Sequence, residues 1–263
     1  TGTYVHYATD INGCKDSAIY TIHEPTAVIF QAATIVNVSC NGGNDGSITS
    51  VASGGTGVIT YSWSHDITLN SSTATNLTAG TYTQTATDAN GCSITNTFTV
   101  TEPTAVTFGI PQLVMVTCNG GSDATITSAA SGGTGVISYT WSHDATLNSS
   151  IATGLIAGIY GQTATDANGC SATTSFTVTE PTPIVFINPS VQDVKCHGEN
   201  TGSIHSEATG GTGNIQYGWS HNLGLNSTDA LNLIQGTYYQ IATDANGCKD
   251  TSNLFVVNEP TQL

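Results

Sequence analysis

Cysteine is the residue whose spacing in this sequence most directly suggests chemistry, and that chemistry is disulfide formation. Seven cysteines recur at 78-residue intervals in two sets, one at Cys14, Cys92, Cys170 and Cys248 and the other at Cys40, Cys118 and Cys196. Cysteines at fixed places in small, weakly charged repeats indicate an oxidising compartment. The sequence therefore predicts structural disulfides and an extracellular location.

Three histidines that follow a tryptophan by two residues, His65, His143 and His221, could serve as bases or metal ligands. No serine, cysteine or second histidine lies at a matching spacing, so each is predicted to be a structural residue beside a half-buried tryptophan. His197 follows Cys196 but lacks the CxxC or HxxxH partners of a zinc site. We therefore predict no catalytic residue, no cofactor and no enzymatic activity.

The motif Asp-Ala-Asn-Gly, which precedes a cysteine three times, is similar to the opening of a calcium-binding loop. The glutamate that would complete such a loop is missing, which favours a tight turn whose aspartate accepts nearby backbone N–H groups. No metal site is predicted. Calcium at the joints between repeats remains an alternative, with Asp88, Asn90, Asp166, Asn168, Asp244 and Asn246 as candidate ligands.

Each cysteine of the first set closes a segment of strand and turn that recurs along the chain. Between Gly80 and Cys92, the residues Tyr82, Gln84 and Ala86 alternate with threonines, which is the period of a half-buried strand. A tyrosine at the start of such a strand is typical of a β-sandwich corner, and a tryptophan on the third strand is typical of its core. The predicted core residues are Trp63, Tyr82, Trp141, Tyr160, Trp219 and Tyr238.

The composition favours short strands joined by turns, because hydrophobic residues make up 38% of the chain and charged residues only 8%. We predict an all-β fold, a tandem array of immunoglobulin-like β-sandwich repeats of 78 residues that forms an elongated rod. Each repeat should have about seven strands, one or two of them supplied by Leu69 and residues 72–77. The predicted domains are residues 1–26, the C-terminal hairpin of an incomplete repeat, and three full repeats at 27–104, 105–182 and 183–263.

Charge excludes two classes of partner. The formal net charge is −15, with 3 Lys plus Arg against 18 Asp plus Glu, so a phosphate backbone or an anionic lipid surface would be repelled. No apolar run is long enough to span a membrane.

Residues 1–26 match only the last third of a repeat, so we expect an excerpt of a longer polypeptide. The expected partners are neighbouring repeats of that chain and other copies in a filament, with no nucleic acid and no membrane insertion.

Two pairings of the cysteines fit the repeat. Pairing within repeats joins Cys40 with Cys92, Cys118 with Cys170, and Cys196 with Cys248. Pairing between repeats joins Cys40 with Cys170 and Cys118 with Cys248.

Strand direction favours the second pairing. Cys40 precedes the second strand and Cys92 follows the sixth, and both strands run the same way in this topology. The two sulfurs would lie roughly 25 Å apart, given the rise of a seven- or eight-residue strand. A disulfide needs Cα atoms about 4.4 to 6.8 Å apart. Pairing within repeats stays open, because this argument depends on the predicted number of strands.

An ordered set of motifs resembles the SprB-type repeat of large surface adhesins of gliding bacteria. In the first full repeat these are Cys-Asn-Gly-Gly-Asn-Asp-Gly-Ser-Ile at 40–48, Gly-Gly-Thr-Gly at 54–57, Tyr-Ser-Trp-Ser at 61–64, Leu-Thr-Ala-Gly-Thr-Tyr at 77–82 and Thr-Asp-Ala-Asn-Gly-Cys at 87–92. The resemblance covers the whole chain and departs from the usual pattern at Trp-Ser-His 63–65. It implies a cell-surface filament or adhesin that is exported by the type IX route and used in gliding motility or attachment. Asp16-Ser17-Ala18 is similar to an O-glycosylation signal of the same bacteria, which makes Ser17 a candidate site.

Two hypotheses of function follow. The first is a structural stalk or filament segment of an extracellular bacterial adhesin, whose repeats give length and stiffness for attachment or gliding. The alternative is a multivalent module with one weak carbohydrate- or surface-binding site in each repeat. Differences between repeats scatter over strands and loops alike, which favours the stalk.

Overall fold

The computed structural model describes residues 1–262, and alternating side chains organise these residues into strands and turns. No helix occurs among them, so the described chain has no helix that could cross a membrane. The chain forms two compact units. The first consists of Thr1–Val106 with the loops Gly132–Val136 and Asp166–Cys170, and the second of Thr107–Ser131, Ile137–Thr165 and the chain from Ser171 onward.

A two-stranded hairpin opens the first unit, with β1 at Gly2–Thr9 and β2 at Lys15–Ile22. The two strands pair antiparallel along their full lengths. Asp10 holds the turn, because its Oδ1 accepts the N–H groups of Asn12 at 2.9 Å and Cys14 at 2.8 Å. Both faces of this hairpin are exposed, unlike the equivalent strands of the full repeats.

The first full repeat also lies in the first unit. Its strands are β3 (Ile29–Phe30), β4 (Thr34–Val36), β5 (Gly46–Thr49), β6 (Ala52–Ser53), β7 (Thr60–Trp63), β8 (Thr73–Leu77), β9 (Gly80–Thr87) and β10 (Ser93–Val100). One sheet has the order β4-β5-β8, the other has the order β10-β9-β7, and β3 pairs with β6. Side chains from both sheets form a shared core of Val38, Ile48, Trp63, Ala74, Leu77, Tyr82, Phe98 and Val100. The repeat is therefore an immunoglobulin-like β-sandwich, as the alternation predicts.

The second full repeat has all its strands in the second unit. They are β11 (Thr107–Phe108), β12 (Gln112–Val114), β13 (Ala124–Thr127), β14 (Ala130–Ser131), β15 (Ser138–Trp141), β16 (Ile151–Leu155), β17 (Gly158–Thr165) and β18 (Ser171–Val178). The sheets repeat those of the first sandwich, with β12-β13-β16 and β15-β17-β18 as the three-stranded sheets and β11 beside β14. Ile126, Trp141, Tyr160 and Phe176 belong to its core.

The third full repeat completes the second unit. Its strands are β19 (Val185–Gln192), β20 (Gly202–Thr209), β21 (Gln216–Trp219), β22 (Asp229–Leu233), β23 (Gly236–Tyr238), β24 (Gln240–Thr243), β25 (Lys249–Thr251) and β26 (Phe255–Val257). Here β19-β20-β22 form one sheet, β21-β24-β25 another, and β23 pairs with β26. Ile204, Trp219, Tyr238 and Phe255 occupy the equivalent core positions.

An inserted residue explains why the last strand of this repeat is divided. Cys170 and Glu180 are ten residues apart, whereas Cys248 and Glu259 are eleven apart. The extra residue falls between β25 and β26, where the chain leaves the ladder and Ser252 Oγ accepts the N–H of Gln240 at 2.9 Å. This is the behaviour of a β-bulge, which absorbs one residue without moving the core residues beyond it.

The number of strands differs from the prediction of about seven. Eight segments form in each full repeat, because two strands are interrupted in each: the first two in repeats one and two, and the last two in repeat three. Only one strand, β8, forms in the region assigned to Leu69 and residues 72–77. Leu69 lies in a turn, where its N–H donates to the Asp66 carbonyl at 3.2 Å, and its side chain packs against the core.

The threonine rows face outward on the sheet that contains β9 and β10. Thr83 and Thr97 lie opposite each other with their hydroxyl oxygens 3.3 Å apart, and Thr85 and Thr95 with theirs 3.1 Å apart. Cross-strand threonine pairs of this kind stabilise antiparallel sheets by roughly 0.2–1 kcal/mol each. The strands therefore form from a buried apolar row and a hydrogen-bonded outer row.

A tyrosine corner fixes the entry to β9, β17 and β23. The hydroxyl of Tyr82 donates to the Thr78 carbonyl at 2.9 Å, and Tyr160 donates to the Ile156 carbonyl at 2.8 Å. Tyr238 makes the same bond at 3.0 Å. Each ring is buried while its hydroxyl remains paired, which satisfies the polar end of a core residue.

A glutamine lies inside each sandwich at the position two residues after the corner tyrosine. Gln84, Gln162 and Gln240 are at most 2% exposed. In the second repeat the Ser128 hydroxyl donates to Gln162 Oε1 at 2.6 Å. The equivalent Ser50 lies buried in the first repeat. The bond between Ser128 and Gln162 restricts the packing of the two sheets more than an apolar pair would. In the first repeat Ser50 Oγ and the side-chain amide of Gln84 are buried without a hydrogen-bond partner.

Candidate functional site

Four of the seven cysteines form two disulfides. Cys40 is bonded to Cys170 within the first unit, with Cα atoms 5.5 Å apart, and Cys118 is bonded to Cys248 within the second, with Cα atoms 5.6 Å apart. Each bridge spans 130 residues and joins a loop of one repeat to a turn of the next. These are the pairs of the between-repeat scheme.

The pairs of the within-repeat alternative, Cys40 with Cys92, Cys118 with Cys170, and Cys196 with Cys248, are not formed. Across residues 1–262, Cys14, Cys92 and Cys196 are free and exposed. In the first repeat the Cys40 loop donates a backbone N–H to Glu102. Cys92 closes a turn at a different loop, where the Thr56 N–H donates to Asp88 Oδ2 at 2.8 Å. The two sulfurs therefore belong to opposite ends of the sandwich.

The loop that carries Cys40 holds the segment joining the first and second repeats. The N–H of Gly42 donates to Glu102 Oε2 at 2.6 Å, and Asn41 Nδ2 donates to the Pro103 carbonyl at 3.1 Å. Asp45 Oδ1 accepts the N–H of Ser39 at 3.0 Å on the other side of the loop. The short Glu-Pro-Thr segment is thus bonded to the sandwich that precedes it.

The second unit repeats this arrangement. The N–H of Gly120 donates to Glu180 Oε2 at 2.6 Å, and Asn119 Nδ2 donates to the Pro181 carbonyl at 3.0 Å. The role of these glutamates was missed in the sequence. The recurrence of Glu before proline at every joint is the signal that could have revealed it.

The turn that carries the partner cysteine is organised by an aspartate. Asp166 Oδ2 accepts the N–H of Thr134 at 2.7 Å, and its Oδ1 accepts those of Asn168 at 2.9 Å and Cys170 at 2.8 Å. The Thr134 N–H and then the other backbone donors hold the pKa of the Asp166 carboxyl below its ordinary value. Asp88 and Asp244 accept the equivalent bonds.

This geometry bears on the candidate calcium ligands. The carboxylate oxygens of Asp88, Asp166 and Asp244 face N–H donors, as in a turn in which the aspartate binds local backbone. Among residues 1–262 no cluster of three His, Cys, Asp or Glu side chains is placed to hold a metal ion. The aspartates therefore order the turn that presents the cysteine.

The asparagine of the same turn has a role at the joint. Asn168 Nδ2 donates to the Ser39 carbonyl at 3.1 Å within the first unit. Asn246 Nδ2 donates to the Thr117 carbonyl at 3.1 Å within the second. Each carbonyl belongs to the residue just before a bridged cysteine, so an amide hydrogen bond lies directly beside each disulfide.

Glycines bring the backbone of the joint close to the following loop. Gly132 has a φ of 92°, and a Cβ at this position would lie 2.0 Å from the Ala105 carbonyl oxygen. The next residue, Gly133, donates its N–H to the Thr104 carbonyl at 2.8 Å. Only glycine combines this conformation with so close an approach. The loop 132–136 is therefore fixed against the joint.

The repeated histidines pack against aromatic rings. His65, His143 and His221 stand edge-on to Tyr82, Tyr160 and Tyr238, with ring centroids 5.0, 4.9 and 5.4 Å apart. The tryptophans beside them are 1%, 3% and 0% exposed, so the prediction of half-buried tryptophans was wrong. Their indole N–H groups donate to backbone carbonyls at 2.8 to 2.9 Å, which allows complete burial.

One charged cluster occurs in the third repeat without a counterpart in the others. His205 Nδ1 lies 2.8 Å from Asp229 Oδ1, and Nε2 lies 3.5 Å from Glu207 Oε1. The hydrogen bond to Asp229 raises the pKa of His205, with a smaller contribution from Glu207. Thr49 and Thr73 occupy the equivalent positions of the first repeat, with their hydroxyl oxygens 3.1 Å apart. This cluster was missed in the sequence because it unites residues from two strands.

An open groove of about 600 Å³ lies beside the second joint, within the second unit. Asn119, Pro181, Ile184, Gly211, Lys249 and Asp250 contribute to its wall. Ser17, the candidate glycosylation site, is exposed on β2. Of the surfaces described, the disulfide-bonded joint is the feature most consistently built from recurring residues.

The comparisons with known proteins agree with the repeat structure. Residues 32–66, 114–146 and 188–224 match the family model described as the SprB repeat. A search of curated proteins finds no matching sequence.

A search of solved structures matches the chain to several multidomain proteins at TM-scores of 0.40 or less. Immunoglobulin domains 1–5 of Sidekick-1 are 16% identical, with 98% of this chain and 67% of that one covered and a TM-score of 0.39. The N-terminal eight immunoglobulin domains of Down Syndrome Cell Adhesion Molecule are 12% identical, with coverage of 98% and 43% and a TM-score of 0.40. Extracellular domains 3–5 of Drosophila OTK are 13% identical, with coverage of 87% and 97% and a TM-score of 0.31.

Each matching segment lies within a different full repeat and contains a cysteine loop and a core tryptophan. Each of the three full β-sandwiches therefore contains one segment that is similar to the SprB repeat.

Proposed function

We propose that this chain is a structural segment of an extracellular bacterial adhesin, in which the repeats provide length and the joints provide stiffness. The observation that carries the proposal is the construction of the joint. A disulfide, an asparagine-to-carbonyl hydrogen bond and a glutamate-to-backbone hydrogen bond recur at both joints with nearly the same distances.

Two separate connections make each joint resist bending. A peptide linker alone acts as a hinge, because its few backbone torsions allow the flanking parts to rotate. In the second unit the Glu-Pro-Thr linker is one connection and the Cys118–Cys248 bridge is another. Asn119 and Glu180 also bond the linker to the loop of the preceding repeat. Rotation about the linker would therefore break several bonds at once.

The chemistry of the joint supports a location outside the cell. Disulfides persist in oxidising compartments and are rare in the cytosol of most organisms. The SprB-type repeats support an adhesin, and their resemblance to proteins of gliding bacteria extends the proposal to type IX export and to a role in gliding or attachment. Partners would be neighbouring repeats of a longer chain and other copies in a filament.

A second candidate function has one observation in its favour. The groove beside the second joint could receive a polar ligand such as a carbohydrate, since Asn119, Lys249 and Asp250 line it. The Cys170 turn is followed by Ser171 and Ala172 in the places of Lys249 and Asp250. A chain with K249S and D250A would lose binding to immobilised glycans if this groove were the functional site.

Small-angle X-ray scattering of the full chain tests the structural role. We expect C118S/C248S to scatter as a more flexible particle with a broader distribution of interatomic distances, because one connection of the second joint is lost. C92S is the matched control, since this thiol is free and exposed. Identical scattering from the wild-type chain and from a C118S/C248S chain that also carries E180A would overturn the proposed role of the joint.

A further inference from the structure

The two bridges follow one rule that also applies to the cysteines left free. A loop cysteine, Cys40 or Cys118, pairs with a turn cysteine of the following repeat, 130 residues later. Cys196 occupies the loop position in the third repeat and is free and exposed. Its position is therefore that of the first half of a third bridge.

The loop around Cys196 already has the conformation of the bridged loops. The N–H of Gly198 donates to Glu259 Oε2 at 2.9 Å, as Gly42 does to Glu102. The N–H of Lys195 donates to Thr201 Oγ1 at 2.9 Å, which replaces the bond to aspartate in the other loops. The bridge is thus not needed to shape the loop.

The equivalent residues in the same molecule indicate which partner fits. At both occupied loops, the residue before the cysteine accepts an asparagine amide, and the cysteine sulfur is bonded to an Asp-Ala-Asn-Gly-Cys turn. The Lys195 carbonyl holds that place beside Cys196. A free cysteine alone would carry no such information, but two equivalent loops in this structure hold the same kind of turn.

We propose that the Cys196 loop is a docking site for the Asp-Ala-Asn-Gly-Cys turn of a further repeat of this type, joined after Glu259-Pro260-Thr261. Cys196 and the turn cysteine form a third disulfide, and the turn asparagine donates to the Lys195 carbonyl. This inference rests on the proposed function, since it extends the same joint to another repeat.

The bond forms by thiol–disulfide exchange with a low-molecular-weight disulfide such as oxidised glutathione. The Cys196 thiolate attacks one glutathione sulfur, which forms a mixed disulfide and releases one glutathione thiolate. The thiolate of the turn cysteine then attacks the Cys196 sulfur and releases the second. Two protein thiols and one oxidised glutathione thus give one protein disulfide and two reduced glutathione molecules.

A fusion of the full chain with a copy of its own second repeat tests the proposal. Residues 105–182 are appended directly after Thr261, the protein is refolded in glutathione buffer, free thiols are alkylated, and disulfides are mapped without reduction. We expect a peptide that links Cys196 to the copy of Cys170, together with both original bridges. In a control fusion the copy of Cys170 is replaced by serine, and alkylation of Cys196 should return to its level in the unfused chain.

Three results would overturn the proposal. The first is an alkylated Cys196 in the fusion while both original bridges are intact. This result would contradict the third bridge but not the proposed function of the two existing joints. The second is the absence of all bridges, which would remove both proposals. The third is a dimer of the unfused chain linked through Cys196 and Cys92, which would assign the site to a second copy.

Discussion

The two disulfides overlap along the chain, and this predicts how far the protein extends under force. Cys118 lies inside the loop closed by Cys40 and Cys170, and Cys170 lies inside the loop closed by Cys118 and Cys248. The shortest covalent path therefore runs through residues 1–40, back along 170–118, and out through 248–263. This path contains about 110 residues and extends to roughly 380 Å, against roughly 920 Å for all 263 residues, at about 3.5 Å per residue.

Removal of one bridge changes this length much less than removal of both. In C118S the path runs through residues 1–40 and 170–263 and reaches roughly 470 Å, an increase of about 90 Å. C40S leaves the other bridge and gives the same length. C40S/C118S removes both bridges and should release roughly 540 Å. The non-additivity arises because each bridge shortens a segment that the other already bypasses.

Single-molecule force spectroscopy of the full chain, held at its ends with free thiols alkylated, measures these lengths directly. C92S should unfold to the wild-type length. Pairing within repeats would instead increase the unfolded length of C118S by about 180 Å, because a separate loop of about 51 residues would open. An increase of that size, or equal and additive increases for the two single variants, would refute the interlocked arrangement.

Two smaller perturbations concern individual repeats. Y160F removes the hydroxyl that donates to the Ile156 carbonyl. With the disulfides intact, urea denaturation should show a free energy of unfolding that is lower by about 1 kcal/mol. An unchanged free energy of unfolding would mean that the corner bond adds nothing to stability. His205, whose pKa is raised by Asp229, contributes stability that is fully present below pH 6.5 and is lost as pH rises through the raised value, so thermal unfolding should shift downward over that window. The H205T/D229T chain copies the threonine pair of the first repeat, and a shift that persists in it would contradict this assignment.

The sequence allowed the fold to be predicted because its periodicity is local. The alternation around Tyr82 and Gln84 and the recurrence of the cysteines were sufficient for an all-β tandem array. The direction of the second and sixth strands also favoured the pairing that the structure contains. These features depend on neighbouring residues or on strand order, which a repeat makes visible.

The details of the joint depend on contacts between residues far apart in sequence. Glu102 binds a loop 60 residues earlier, and Asn168 binds a carbonyl 129 residues earlier. Asn168 was considered a calcium ligand because its turn has suitable residue types, but sequence alone does not show what faces the turn. The burial of Trp63 also depends on a distant surface, since the opposite sheet covers it.

The 130-residue span of each bridge sets an order on disulfide formation as the chain is made. Cys40 cannot form its native disulfide until Cys170 has been synthesised, by which time all the strands of the first sandwich are available for folding. A pairing within one repeat, such as Cys40 with Cys92, would close after only about two fifths of that length of chain. Each loop cysteine therefore forms its disulfide only after more than one further repeat has been made, and each bridge requires that the turn of the following sandwich is already present.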